Sequence, residues 1–195
     1  MANDIRCNEL KFGTSDNASK CLLDAGIYLL MEEIDAASCK AAITFILEKN
    51  IETNGKRLKE IKMIICSPGG DVSGCFALTD VMMASKIPVM TFGIGQICSC
   101  GLLIFMAGKK RILTPNTSIL SHQYSWGDWG KEHELLATRK EQDLTSRKIL
   151  THYQKCTKLP AKTIKEKLLC PSDTWLTADE ALKYNLCDEI REFSV

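Results

Sequence analysis

Short apolar runs alternate with helix-patterned stretches along the first two thirds of the chain, and this alternation most constrains the fold. GIYLLM (26–31) and IKMIIC (61–66) are too short to be buried helices and are bounded by turn residues, as buried strands are. Between them DAASCKAAITFILEK (35–49) repeats Cys39, Ala42, Ile43, Ile46 and Leu47 at helical spacing. SPGGD ends the second strand sharply, and VSGCFALTDVMMAS (72–85) reads as a helix. PVMTFGI (88–94) reads as a third strand, CGLLIFMAG (100–108) as a buried helix and TSILSH (117–122) as a further strand. Strand, helix, strand in repetition implies an α/β fold with parallel strands and right-handed crossovers. Ligands of such sheets bind beyond the carboxyl ends of the strands, and two of those ends are SPGG and GQICS.

The last third has a different texture. YSWGDWG (124–130) is an aromatic and glycine loop or ribbon, followed by a long polar helix from about Lys131 to Cys156. Its sparse apolar stripe of Leu135, Leu144, Ile149 and Tyr153 predicts packing on another helix. A short helix follows Pro160, and Thr177 with Glu180 has the spacing of a capping box. The first 20 residues are polar and predict a flexible arm, with GTSDNASK as a loop.

Ten cysteines in 195 residues need an explanation. The first 20 residues contain no apolar core of an export signal, and no run approaches the ~20 apolar residues of a membrane span. There is no C-x-x-C pair, and Cys98 and Cys100 form the only close one, so zinc-type spacing is missing. The cysteines therefore read as reduced, small core hydrophobes of a cytoplasmic protein. Lys and Arg (25) nearly balance Asp and Glu (24), which argues against a dedicated nucleic-acid binder.

The stretch GIGQICSCGLLIFMAG (93–108) sets one hydroxyl, Ser99, between two thiols at a predicted helix start. The amide of Cys100 points where an oxyanion would form, and the amide of Gly70 in SPGG offers a second donor. A serine needs a base, and His122 ends a strand expected beside the Ser99 turn. A carboxylate must orient that imidazole, and Asp173, Asp71, Asp80 and Asp128 all compete for the role. Singly, each feature has a plainer reading: Ser99 as a helix N-cap, His122 as a packed histidine, SPGG as a turn.

The segments SPGGDVSGCFALTDVM, GQICSCGLLIFMAG, RILTPNTSILSHQ and DTWLTADEALKYNLCDEI, in that order, resemble the ClpP family of self-compartmentalised serine proteases. The similarity runs from about Gly26 to Ile190. The family's G-Q-x-x-S-x-G segment is matched by Gly95, Gln96, Ser99 and Gly101, its histidine-glutamine step by His122 and Gln123, and its acid by Asp173. Its oxyanion donors map to Gly70 and Cys100. The resemblance implies a crotonase-like ClpP fold: one domain over 21–195, with a head of about 21–122 and 158–195 and a protruding handle of about 123–157. It implies heptameric rings, stacked in pairs through the handles, a polypeptide substrate bound as an added strand near YSWGDWG, an AAA+ unfoldase partner, and no metal or organic cofactor. Three positions depart from the pattern: Cys100 stands for methionine, Tyr124 for proline, and Thr174 for an arginine that helps pair the rings. The competing readings are a crotonase-type acyl-CoA enzyme and an inactive structural ring subunit.

Overall fold

The computed structural model describes residues 15–51 and 58–193. Residues 1–14 of the expected arm lie outside the described residues. From Ser15 onward the chain is helical: α1 spans Ser15–Asp24 where a loop was expected. Leu22 packs against a cluster of Ile27, Ile64, Phe92 and Ile112, so tertiary burial overrides the weak helix propensity of SDNAS.

The remaining elements follow the expected alternation: β1 Ile27–Leu30, α2 Ala36–Ile51, β2 Ile61–Ser67, α3 Val72–Ala84, β3 Val89–Cys98 and α4 Cys100–Met106. Then come β4 Arg111–Leu113, β5 Ser118–Ser121, α5 Glu132–Thr157, α6 Ala161–Lys167, β6 Thr174–Thr177, α7 Ala178–Lys183 and β7 Glu189–Ile190. The sheet order is β1-β2-β3-β4-β7, with every one of these pairs parallel. Residues at alternate positions of β2 face opposite layers. Met63 and Ile65 point into the main core with Leu78, Leu102 and Phe105, while Ile64 joins the smaller cluster under α1.

Strand β3 is longer than its apolar run suggests, and it carries two different neighbours. Thr91–Gly93 pairs with β4, and Gln96–Cys98 pairs with β5. Between them β2 advances from Ile65 to Ser67 while β3 advances from Gly93 to Ile97, so β3 bulges. Gly95, at φ +60°, turns the strand there, a conformation that costs other residues about 1–2 kcal/mol. One strand thereby reaches the β4 side at its start and the β5 side at its end. The sheet is not wholly parallel, because β6 pairs antiparallel with β5, Ser121 opposite Thr174.

Helix α5 divides along its length. Ile149 and Tyr153 are buried in the core, whereas Leu135 and Leu144 of the same expected stripe are exposed, as are Trp126 and Trp129. Beneath its C-terminal end, the nearly buried Arg111 ties several elements together. Its guanidinium pairs with both carboxylate oxygens of Asp188 and donates to the carbonyls of Cys156 and Asn185.

Candidate active site

Ser99 occupies the single residue between β3 and α4, with φ +53° and ψ −119°. A non-glycine residue in this region stores roughly 1–3 kcal/mol, which the surrounding backbone must hold. It is held firmly: Ser99 N–H donates to Leu120 O at 3.0 Å, and Ser99 O accepts from Leu102 N at 3.0 Å and Leu103 N at 3.2 Å. The side chain makes no capping bond, so Ser99 is not a side-chain N-cap, and it is half-buried rather than enclosed. A strained, reachable hydroxyl at a strand-to-helix turn suits a nucleophile.

The SPGG loop lies against this turn. Gly69 has φ +94°, and a Cβ there would stand 2.7 Å from Ser99 Cβ and 2.8 Å from Cys98 O. Ser67 Oγ fastens the loop by donating to Glu32 O at 2.6 Å. Ile34 then grips two successive peptides: its N–H donates to Gly69 O at 2.8 Å, and its carbonyl accepts from Asp71 N at 2.6 Å. A trans peptide points its N–H opposite its carbonyl. With Gly69 O turned to Ile34, Gly70 N–H is turned the other way, out of the Ile34 bridge. The first helical amide, Cys100 N–H, has no intrahelical acceptor ahead of it.

His122 follows β5 directly, and Asp173 immediately precedes β6. The antiparallel register that sets Ser121 opposite Thr174 therefore brings these two neighbours together. His122 Nδ1 lies 3.8 Å from Asp173 Oδ1, a contact of opposite polarity slightly longer than a hydrogen bond. Among the described residues Asp173 is the carboxylate within 4 Å of a His122 nitrogen. Asp71 instead caps α3 through Gly74 N, Asp128 accepts from Trp129 N, and Asp80 sits on α3 within reach of His152. Ser99 and His122 close neighbouring parallel strands, Cys98 beside Leu120, and among the described residues no hydrogen bond joins their side chains.

The segment carrying His122 is pinned on both sides: by Gln123 of the histidine-glutamine step, and by Ser121 with Tyr153, which sequence reasoning did not single out for the site. Ser121 Oγ donates to Leu168 O at 2.6 Å and lies 2.7 Å from Tyr153 Oη, which donates to it. Burial drives the Tyr153 phenol well above its ordinary range, so it remains a donor. Gln123 Nε2 donates to Leu169 O at 2.9 Å. Helical spacing had marked Tyr153 as an apolar-stripe residue, but nothing in the sequence signals its hydroxyl bond.

The thiols flanking Ser99 are both nearly inaccessible. Burial pushes the Cys98 thiol up, which disfavours a thiolate nucleophile. The hydrogen bond between Cys100 and Cys75 of α3 lowers the Cys100 thiol and raises that of Cys75, so Cys100 is set apart from the nucleophile's role by its burial. A groove of about 450 Å³ opens beside Gly70 and is lined by Val72, Phe76, Tyr124, Glu141 and Thr145.

A strand-end serine beside a glycine loop, with a histidine and a carboxylate on the adjoining strand pair, is an arrangement of hydrolases that act through an oxyanion. The chain belongs to the Clp protease family, whose model matches residues 11–193. It is also 38% identical over 136 residues to the ATP-dependent Clp protease proteolytic subunit of Deinococcus radiodurans. That match covers 68% of this chain and 65% of the relative. No helix among the described residues is long and apolar enough to cross a membrane.

Proposed function

We propose that the protein is a serine endopeptidase with Ser99 as nucleophile, His122 as general base and acid, and Asp173 as the group that orients the imidazole. Ser99 Oγ attacks the scissile carbonyl as His122 takes its proton. The amides of Gly70 and Cys100 receive the oxyanion, His122 protonates the leaving amine, and water releases the acyl-enzyme. No metal or organic cofactor enters this scheme. The reading is carried chiefly by Ser99, whose positive φ is held by three backbone bonds at the strand-to-helix turn while its hydroxyl makes no capping bond.

Family membership supports the wider reading. The substrate is an unfolded polypeptide or short peptide lying against residues 124–130. The chain assembles into heptameric rings that stack through a handle of residues 123–157, with residues 21–122 and 158–195 as the head. An AAA+ unfoldase feeds the chamber, and the particle works in the cytoplasm. The exposed Leu135, Leu136, Leu144 and Trp129 suit a handle that becomes covered on assembly.

The test is hydrolysis of fluorogenic peptides and a denatured protein by the assembled wild-type chain and Ser99→Ala. Cleavage that disappears in the variant is expected. Acyl-CoA binding by calorimetry without cleavage would favour the crotonase-type reading, and neither activity in an intact particle would leave a structural ring subunit.

A further inference from the structure

We infer that the Cys100 side chain, and not only its backbone amide, is a positioning residue for the oxyanion site. This rests on the peptidase reading. Cys100 Sγ donates to Gly70 O at 3.1 Å, and Cys75 Sγ donates to Cys100 O at 3.5 Å. Each of the two proposed oxyanion residues is thus held by a thiol, one from α4 and one from α3.

The need for such a hold follows from the backbone. Gly70 has φ +144°, a region open essentially to glycine alone, and glycine there has little torsional restraint of its own. Ile34 fixes the Gly69 carbonyl and the Asp71 N–H on one side of the loop. The Gly70 carbonyl points to the opposite side, where its partner is the Cys100 thiol. Remove that donor and the peptide between Gly70 and Asp71 keeps one anchor in place of two. The Gly70 N–H, one Cα away, then loses the rigidity that preorganised oxyanion stabilisation requires.

Alternatives to Gly70 itself are closed. A Cβ at that residue would meet the Ile34 backbone, so the loop cannot be stiffened by a bulkier residue. A methionine at position 100, which the family resemblance leads one to expect, brings no hydrogen-bond donor. The smaller thiol therefore does here by a bond what a longer side chain can do only by contact. Cys98, on the other flank of Ser99, makes no bond to either oxyanion residue and serves as the packing control.

The experiment compares assembled wild type with Cys100→Ala, Cys100→Val, Cys100→Ser and Cys98→Ala. It reads kcat and KM on a fluorogenic peptide, affinity for a peptide boronate that mimics the tetrahedral intermediate, and thermal stability. Losing a donor outright costs roughly 10²–10³ in kcat, so loosening one is expected to cost about tenfold. Cys100→Ala and Cys100→Val should lose about tenfold in both kcat and boronate affinity with KM unchanged. Cys100→Ser, which retains a donor, should recover most of that loss. Cys98→Ala should lower stability without that linked loss. Folded Ala and Val variants with wild-type kcat, or losses that serine does not rescue, would overturn the inference alone. A wild-type particle inert to peptide and boronate would overturn the peptidase reading and this inference with it. Should Cys100→Val fail to fold, the Ala and Ser pair decides.

Discussion

Gly69→Ala is the most informative single substitution, because its effect can be worked out from the site. Gly69 sits at φ +94°, where a β-carbon costs about 1–2 kcal/mol by local sterics. The new Cβ would lie 2.7 Å from Ser99 Cβ, 2.8 Å from Cys98 O and 3.1 Å from Cys100 N. Ordinary carbon contacts are about 3.5–4.0 Å, so Ser99 or the loop must move by on the order of 1 Å. Two of the three obstacles are backbone atoms and cannot rotate away. Strain and displacement together should destabilise the chain by about 2–3 kcal/mol, lowering Tm by roughly 5–10 °C for a domain of this size. A displacement near 1 Å costs on the order of 10²-fold in rate when the reacting groups must be aligned. Calorimetry and peptide kinetics on the assembled variant read both effects. Gly127→Ala is the control for stability alone, since a Cβ there meets nothing within 4 Å, and it should stay within about 0.5 kcal/mol of wild type. Gly69→Ala with undiminished kcat would refute the reasoning that the loop sets the position of Ser99.

Three further outcomes follow from other contacts. Tyr153→Phe removes one of the two bonds holding Ser121 beside His122 and should cost about 1 kcal/mol by denaturant titration. Arg111→Met leaves the carbonyls of Cys156 and Asn185 without their shared donor, while the exposed Asp188 keeps its bond from the residue 111 backbone N–H, and should cost about 1–3 kcal/mol by the same assay. Folding should weaken in acid. Partial burial pushes the Asp188 carboxyl up, but the Arg111 bonds win and hold it below its usual range. Its stabilisation is present above the unfolded-state pKa and is lost as pH falls through the lower folded value; an Asp188→Asn variant should flatten that part of the stability–pH curve.

Much of the architecture was legible because it is written in local periodicity. The four elements from β1 to α3, and the start of β3, fall where apolar runs and helical spacing put them, and Thr177 and Glu180 form the capping box their spacing announced. The misses have different physical causes. Strands β4 and β7 have three and two residues, too few to display a period. Helix α1 is polar at its start and depends on Leu22 finding the sheet. Spacing left four aspartates open as the partner of His122, because Asp173 reaches His122 only through the antiparallel pairing of β5 with β6. The apolar stripe of α5 was visible, but the sequence does not say where along the helix the core ends. Ile149 and Tyr153 lie inside that boundary, and Leu144 and Leu135 beyond it. Both thiols beside Ser99 were expected as packing. Cys98 fits that description, while the Cys100 thiol also holds the Gly70 carbonyl, a bond that only the folded loop reveals.

Whether Ser99 is an activated nucleophile is decided by reacting the assembled chain with a fluorophosphonate and mapping the modified residue by mass spectrometry. One adduct per chain is expected, on Ser99, lost in Ser99→Ala and greatly reduced in His122→Ala. An adduct on Cys98 or Cys100, or an intact particle that takes up no label, would contradict that role.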